Sequence, residues 1–158
     1  MLTPSRQLLP STSNGRAAAQ TSGWIPVSAL EAGHPVNASV VISASAKTLT
    51  VMVGSTVSAV FAVGVGTAGT PTPTGVTGYL QARYLDPAQE QSRYPVQLTS
   101  LHSSAADEPF GGSDGGLIGL HYERNASGAV SHGCVRLPAA AIEAVNTLPL
   151  GTLVTIIP

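Results

Sequence analysis

Short runs in which polar and apolar side chains alternate dominate the first hundred residues. Residues 48–53 begin with this alternation, and residues 56–63 begin in the same way. A period of two is typical of a half-buried β-strand, because successive side chains point to opposite faces of the sheet. Gly54 and Ser55 connect the two runs, and a two-residue connection of this kind predicts a tight hairpin.

The rest of the chain predicts more strands and one helix. Pro138 precedes an alanine-rich run at residues 139–147, which favours a helix whose Ile142 and Val145 share one face. Glycines and prolines at residues 64–75 predict turns, and residues 86–95 and 103–116 are predicted loops. The sequence therefore predicts a mainly β fold with one capping helix near the C-terminus. Further strands are predicted at residues 38–46, 76–84, 95–101, 117–121 and 151–157.

Composition narrows the choice of partner and compartment. Seven basic and eight acidic residues give a net charge of −1 with no basic block, which disfavours nucleic acid as a partner. Residues 48–82 carry no charge, but glycine, serine and threonine interrupt their most apolar part, so no transmembrane segment is predicted. Residues 1–20 contain no apolar run resembling a signal peptide.

Two regions are predicted, an N-terminal extension at residues 1–35 and one domain at residues 36–158. Residues 1–20 are rich in Ser, Thr, Pro, Asn and Ala, which predicts a loose segment. Trp24, the only tryptophan, is predicted to pack this arm against the domain. The alternative for Trp24 is an aromatic platform for a sugar.

The candidate chemistry centres on Cys134, the only cysteine in the chain. A lone cysteine cannot close an intramolecular disulfide, and its neighbours are polar, small or charged. This setting favours a nucleophilic thiol over an inert buried one, although free cysteine is often buried. The thiolate is the reactive form, so a base or a positive environment is needed.

Two histidines are candidates for that base. His132 is two residues from Cys134, whereas His121 ends a separate predicted strand 13 residues upstream. A neighbouring strand can bring an imidazole across to the thiol, so His121 is assigned as the base, in direct or near-direct contact with the sulfur. The amides of Gly133 and Cys134, with His132 as a further candidate, are predicted to receive an oxyanion. Arg136 is predicted to hold a substrate carboxylate.

Residues 131–136, Ser-His-Gly-Cys-Val-Arg, resemble the active-site signature of the L,D-transpeptidase catalytic domain, whose members cross-link bacterial peptidoglycan. Residues 40–61, 64–66 and 72–75 resemble the family's opening strands and its Pro-Thr-Gly turn. Residues 118–121 resemble the strand that carries the first motif histidine, and residues 145–157 resemble the closing helix and strand. The resemblance covers roughly residues 36–158.

The resemblance implies a β-sandwich of mixed sheets with a capping helix, and acyl transfer in two steps. Cys134 would cleave the L-to-D bond of a tetrapeptide stem and release D-alanine, and an amine of a second stem would then take the acyl group in a 3-3 cross-link. His121 and His132 are the implied catalytic partners. No metal or organic cofactor is implied, carbapenems are expected to acylate Cys134, and the substrate implies an extracytoplasmic location. The residues implied to bind substrate or form the oxyanion pocket are Gly133, Ser131, Arg136 and Tyr122.

Two features depart from the family pattern. Tyr122 stands where the family usually has Gly or Ser, which would strain the chain if positive φ is needed there but not if the position only presents its carbonyl to the imidazole. The interval from His121 to Cys134 is also short. A trimmed loop between Glu123 and Val130 would be harmless, whereas a displaced His121 would not be.

Other assignments remain open. A zinc site built from His102, His121, His132 and Cys134 fits poorly with common ligand spacings. Arg136 has Glu123 or Asp114 as alternative partners, and His34 and His102 are predicted to be ordinary loop or surface histidines. Arg83, Arg93 and Arg124 are predicted to be solvated. Besides the transpeptidase, the candidate functions are a same-fold L,D-carboxypeptidase and a catalytically weakened wall-binding module.

Overall fold

A computed structural model of the chain describes residues 1–5, 8–104 and 116–158. Within them lie twelve strands, several short 3-10 turns and one α-helix, α1, at Ala139–Asn146. The strands are β1 (Leu2–Thr3), β2 (Thr21–Ser22), β3 (Ala38–Ser43), β4 (Thr48–Val53), β5 (Thr56–Ala62), β6 (Gly64–Gly66), β7 (Val76–Asp86), β8 (Gln91–His102), β9 (Leu117–Tyr122), β10 (Gly128–Ser131), β11 (Val135–Leu137) and β12 (Leu153–Ile157).

Ten of these strands form one curled mixed sheet in the order β10-β6-β11-β9-β8-β7-β12-β3-β4-β5. The pairs β10/β6, β11/β9 and β12/β3 are parallel, and the other neighbouring pairs are antiparallel. The mainly β fold with a helix near the C-terminus is therefore confirmed. β12 lies between β7 and β3 and so joins the two halves of the sheet.

The alternating pattern explains how the sheet builds its core. Leu49 and Val51 in β4 are buried, whereas the intervening Thr50 is only half-buried. The predicted β4–β5 hairpin is present, and Gly54 in its turn has φ +58°, which glycine adopts without strain. Ile142 and Val145 of α1 are fully buried, and the helix packs against β8, β9, β11 and β4, as their shared face predicts.

The strands β7 and β8 are longer than predicted. Residues 86–95 do not form a loop, because only Pro87–Gln89 turns between the two strands and Glu90 closes the turn with φ +61°. Polar side chains on these strand ends conceal the extended backbone from a pattern based on hydrophobicity. The predicted loop at residues 103–116 lies mostly outside the described residues.

The N-terminal arm departs from the prediction in two ways. Its part at residues 17–22 is docked and not loose: Ala19 is buried, its carbonyl accepts the His102 N–H at 2.8 Å, and Ser100 Oγ donates to Gln20 Oε1 at 2.7 Å. Trp24 is fully exposed, so the prediction that it packs against the domain is wrong. Backbone and amide hydrogen bonds hold the arm where an aromatic anchor was expected.

Two further residues are less exposed than predicted. His102 is buried at the end of β8, and its backbone joins the arm to the sheet. Arg83 is half-buried in β7 and not solvated. Its guanidinium donates to the Val145 carbonyl in the last turn of α1, at 3.4 Å, and to the Leu148 carbonyl just after the helix. Burial lowers the pKa of Arg83 from its ordinary value. Among the described residues, no helix is long and apolar enough to cross a membrane.

Candidate active site

β9 and β11 bring the candidate nucleophile and base onto one face of the sheet. Their parallel pairing sets Arg136 opposite His121 and Val135 opposite Leu120, so Cys134, just before β11, lies beside Gly119. His121 lies two residues further along β9 on the same face, because side chains alternate along a strand. Such diagonal neighbours on adjacent strands are within reach of long side chains. Direct contact between the Cys134 sulfur and the His121 ring stays a prediction.

The face opens into a cavity of about 460 Å³. Besides the residues of β9 and of the segment 131–136, the carboxylate residues Glu123 and Asp86 line it. A concave site with a few convergent polar groups is the usual form of a ligand site. Five of the seven predicted site residues line this one cavity, and Gly133 and Tyr122 are not among its lining residues; the five are Cys134, His121, His132, Ser131 and Arg136.

The thiol of Cys134 is half-buried and carries a backbone donor. The Gly119 N–H donates to Sγ at 3.4 Å, and the thiol donates to the Leu117 carbonyl oxygen with Sγ and oxygen 3.7 Å apart. The sulfur is therefore held between a backbone N–H donor and a backbone carbonyl acceptor. The sulfur lies close to this strand position, since a β-carbon at Gly119 would be in ordinary van der Waals contact with Sγ at 3.9 Å.

The hydrogen-bond partner of the His121 imidazole determines which ring nitrogen carries the proton. Nδ1 lies 3.2 Å from the Tyr122 carbonyl oxygen, which only accepts, so Nδ1 carries the proton and Nε2 holds the lone pair of the neutral ring. Burial lowers the pKa of His121 below its ordinary value; the Tyr122 hydrogen bond raises it, Arg136 lowers it and Glu123 raises it. The net lowering keeps the ring neutral, as a general base requires.

The structure shows how the position after His121 is used, which the sequence left open. Tyr122 is not among the residues with positive φ, and its backbone carbonyl faces the imidazole, so tyrosine fits without strain. Its ring packs against Tyr94 with centroids 4.8 Å apart. Residues 123–127 connect β9 to β10 within the short interval to Cys134, and His121 pairs with Arg136. That the loop between Glu123 and Val130 is trimmed while His121 keeps its place stays a prediction.

The turn before β11 is fixed by hydrogen bonds from two directions. Gly133 has φ +120°, which a side chain rarely adopts, and its carbonyl accepts from Thr72 Oγ1 at 2.8 Å. The same hydroxyl accepts the Gly66 N–H at 2.8 Å, so the Pro-Thr-Gly turn supports the nucleophile turn. Ser131 Oγ donates to the Cys134 carbonyl and accepts the Gly133 N–H at 3.2 Å. The Gly133 amide, predicted to receive an oxyanion, is thus engaged within the turn.

Arg136 retains an unused donor. Its Nε is buried without a hydrogen-bond partner in the described part of the chain, and no ion pair with Glu123 is present there. The other suggested partner, Asp114, lies outside the described residues. Across residues 1–5, 8–104 and 116–158, no three His, Cys, Asp or Glu side chains are grouped to hold a metal ion.

Sequence reasoning missed Gln91, Asp86 and Tyr84, which also line the cavity. All three lie at the ends of β7 and β8, in or beside the segment predicted to be a loop. Residues 89–93 are all polar and show no alternation, so without the pairing of β8 with β9 nothing in the sequence linked Gln91 to His121.

Comparison with known proteins places the chain beside one family. The profile of the L,D-transpeptidase catalytic domain (YkuD) matches residues 37–156. Among solved structures, an L,D-transpeptidase from Mycobacterium smegmatis is similar at 19% identity and TM-score 0.54 over 78% of this chain and 59% of that one. One from Mycobacterium tuberculosis H37Rv has 20% identity and TM-score 0.56 over 78% and 58% of the two chains.

A third similar structure, an L,D-transpeptidase from Stackebrandtia nassauensis, has 17% identity and TM-score 0.56 over 84% of this chain and 60% of that one. At these identities the structures support the fold. The chain spans about six-tenths of the length of these solved structures. A search of curated proteins found no match.

Proposed function

Because the chain belongs to the L,D-transpeptidase catalytic domain family, we propose that it is a cysteine acyltransferase acting on peptidoglycan stem peptides. The observation that carries the proposal is the shared cavity of Cys134 and His121, in which Gly119 donates to the sulfur and Tyr122 assigns the imidazole proton. The substrate lies outside the cytoplasm, so the protein is proposed to act there.

In the first step, His121 Nε2 takes the Cys134 proton as Sγ bonds to the carbonyl carbon of the L-to-D peptide bond. The tetrahedral intermediate then breaks its C–N bond, and the imidazolium returns the proton to the departing D-alanine amine. In the second step, an amine of another stem attacks the thioester, the C–S bond breaks, and the thiol regains a proton. The product is a 3-3 cross-link.

Arg136 and the turn at residues 131–134 supply the remaining parts. The Arg136 guanidinium lines the cavity and is suited to a carboxylate of the stem. The turn is proposed to receive the oxyanion through His132, Gly133 and Cys134, with Ser131 as its support. For Gly133 to contribute its N–H, the hydrogen bond to Ser131 Oγ must first be released.

Incubation with a disaccharide-tetrapeptide, followed by mass spectrometry of the products, tests the proposal. We expect D-alanine release and a cross-linked dimer, both lost in Cys134→Ala. Free tripeptide without dimer would identify the carboxypeptidase, in which water replaces the amine. Binding of the tetrapeptide without any product would favour the wall-binding module and contradict the enzyme. The fit of Tyr122 beside His121 removes one of the two reasons for that module.

A further inference from the structure

We propose that Gln91 is a positioning residue that holds the catalytic imidazole in one tautomer by fixing the Tyr122 carbonyl. This inference rests on the proposed role of His121 as the base. Gln91 lies on a different strand from His121 and 30 residues earlier in the chain. It acts through a backbone group and does not touch the reacting atoms.

The Tyr122 carbonyl oxygen accepts two hydrogen bonds. His121 Nδ1 lies 3.2 Å from it, and Gln91 Nε2 donates to it at 3.1 Å. A carbonyl oxygen has two lone pairs, so the two donors do not compete for one site. The carbonyl is therefore held between the imidazole that it orients and an amide that limits its rotation.

The hairpin of β7 and β8 puts Gln91 in this place. Asp86 pairs with Gln91 across the hairpin, and the turn between them ends at Glu90 with its left-handed backbone. These strand ends project to the end of β9, where Gln91 is only 9% exposed. Three residues along β8, Tyr94 stacks on the Tyr122 ring, so β8 holds both the side chain and the carbonyl of Tyr122.

The Gln91 side chain is an unfavourable choice for stability alone. Its Nε2 also lies 3.4 Å from the Gln89 carbonyl, but its Oε1 is buried without a hydrogen-bond partner in the described residues. A buried acceptor without a partner destabilises a fold, and an apolar side chain of similar shape avoids that penalty. A glutamine that carries this penalty is explained by what its amide donor does for the Tyr122 carbonyl.

The effect on His121 follows from the tautomer. When the carbonyl stays beside Nδ1, the proton stays on Nδ1 and the lone pair on Nε2 is available to accept the thiol proton. If the Tyr122 peptide can rotate, the neutral ring divides between two tautomers, and only one of them can accept the thiol proton. Gln91 therefore increases the fraction of enzyme that is ready to react.

The test compares wild type with Gln91→Met, which keeps length and removes the donor. The matched control is Gln81→Met in β7, a half-buried glutamine outside the cavity. Nitrogen-15 NMR of the His121 ring reports the tautomer, and mass spectrometry reports the rate of carbapenem addition to Cys134. For Gln91→Met we expect ring nitrogen shifts that move toward each other and addition about 3- to 10-fold slower, with a Tm no lower than that of wild type. Gln81→Met should leave the shifts and the rate unchanged.

Unchanged His121 ring shifts in Gln91→Met would overturn the inference, and so would a lowered Tm with an unchanged addition rate. If Gln91→Met does not fold, Gln91→Glu provides the same test, since a carboxylate cannot donate to the carbonyl and the tautomer should again become mixed. Absence of a carbapenem adduct on wild type would contradict the proposed function, while the NMR comparison would still decide whether Gln91 sets the tautomer.

Discussion

At the scale of single residues, the site depends on how a few polar groups divide their hydrogen bonds. His121 Nδ1 donates a hydrogen bond to the Tyr122 backbone carbonyl, and the Cys134 sulfur accepts a hydrogen bond from the Gly119 backbone N–H. Both partners are main-chain groups of β9, and the Tyr122 carbonyl is also held by the Gln91 amide. Proton transfer between this thiol and this imidazole is what the proposed function requires of the two groups.

Removing either of two charges near His121 should shift the pH profile of Cys134 reactivity, in opposite directions. Arg136 lowers the pKa of His121 and Glu123 raises it. Thus Arg136→Gln should raise the pKa and move the acidic limb of Cys134 reactivity to higher pH, because the base stays protonated longer as pH rises. Glu123→Gln should move that limb to lower pH. Alkylation by iodoacetamide across pH measures both, since this reagent has no carboxylate for Arg136 to bind.

The matched control is Arg124→Gln, which removes the same charge from an exposed position outside the cavity. Its profile should coincide with that of wild type. Shifts of the same sign in Arg136→Gln and Glu123→Gln would show that the reactive base is not His121.

At the scale of elements, short turns and strand ends hold the site together. The sequence pattern was sufficient for the β4–β5 hairpin, for α1 and for the strand that carries His121, because each has a regular period or a clear end signal. It was not sufficient for Gln91, since burial of its polar side chain depends on which strand lies beside it. The prediction for Trp24 was wrong for the opposite reason. The size of its side chain predicts burial, but hydrogen bonds at residues 17–22 hold the arm instead.

Thr72 links the Pro-Thr-Gly turn to the nucleophile turn, and its removal should weaken both. Its buried hydroxyl accepts from Gly66 and donates to the Gly133 carbonyl. Thr72→Val leaves both groups without this partner, so we expect a loss of about 1–3 kcal/mol in the free energy of unfolding. Urea denaturation measures it.

Thr74→Val is the control for that substitution, as Thr74 is exposed in the same turn. A change within about 0.5 kcal/mol is expected there. Equal losses in the two variants would mean that the bridge between the turns contributes nothing.

Arg83 joins β7 to the C-terminal end of α1. Its guanidinium donates to Leu148 and Val145 carbonyls and to Gln97 Oε1, and positive charge there also complements the helix dipole. Arg83→Met keeps the aliphatic stem and should lower the free energy of unfolding by about 1.5–3 kcal/mol. Thermal and urea unfolding check this, with the exposed Arg16→Met as the control; similar stabilities of the two variants would contradict the capping role.

At the scale of the whole molecule, one continuous sheet carries both the core and the cavity. β12 connects the half that contains β3, β4 and β5 to the half that contains the site. Local periodicity cannot reveal such an order, because β3 and β12 are parallel neighbours although they lie at opposite ends of the domain sequence. The family resemblance predicted mixed sheets with a capping helix, but it did not predict this strand order.

The position of β12 predicts that both halves lose stability together. Ile156 is fully buried, whereas its neighbour Ile157 is 42% exposed. Ile156→Ala should lower the free energy of unfolding by about 2–5 kcal/mol, and Ile157→Ala by much less. Hydrogen exchange should show the loss equally at amides of β4 and β8. A loss confined to one of those strands would show that the halves unfold separately.

The most direct measurement of the central claim is the intact mass of the protein after exposure to a carbapenem. A nucleophilic Cys134 thiol, with His121 as its base, predicts one covalent adduct on wild type and none on folded Cys134→Ala. An unmodified wild type that is well folded, or an adduct that persists in Cys134→Ala, would contradict the claim.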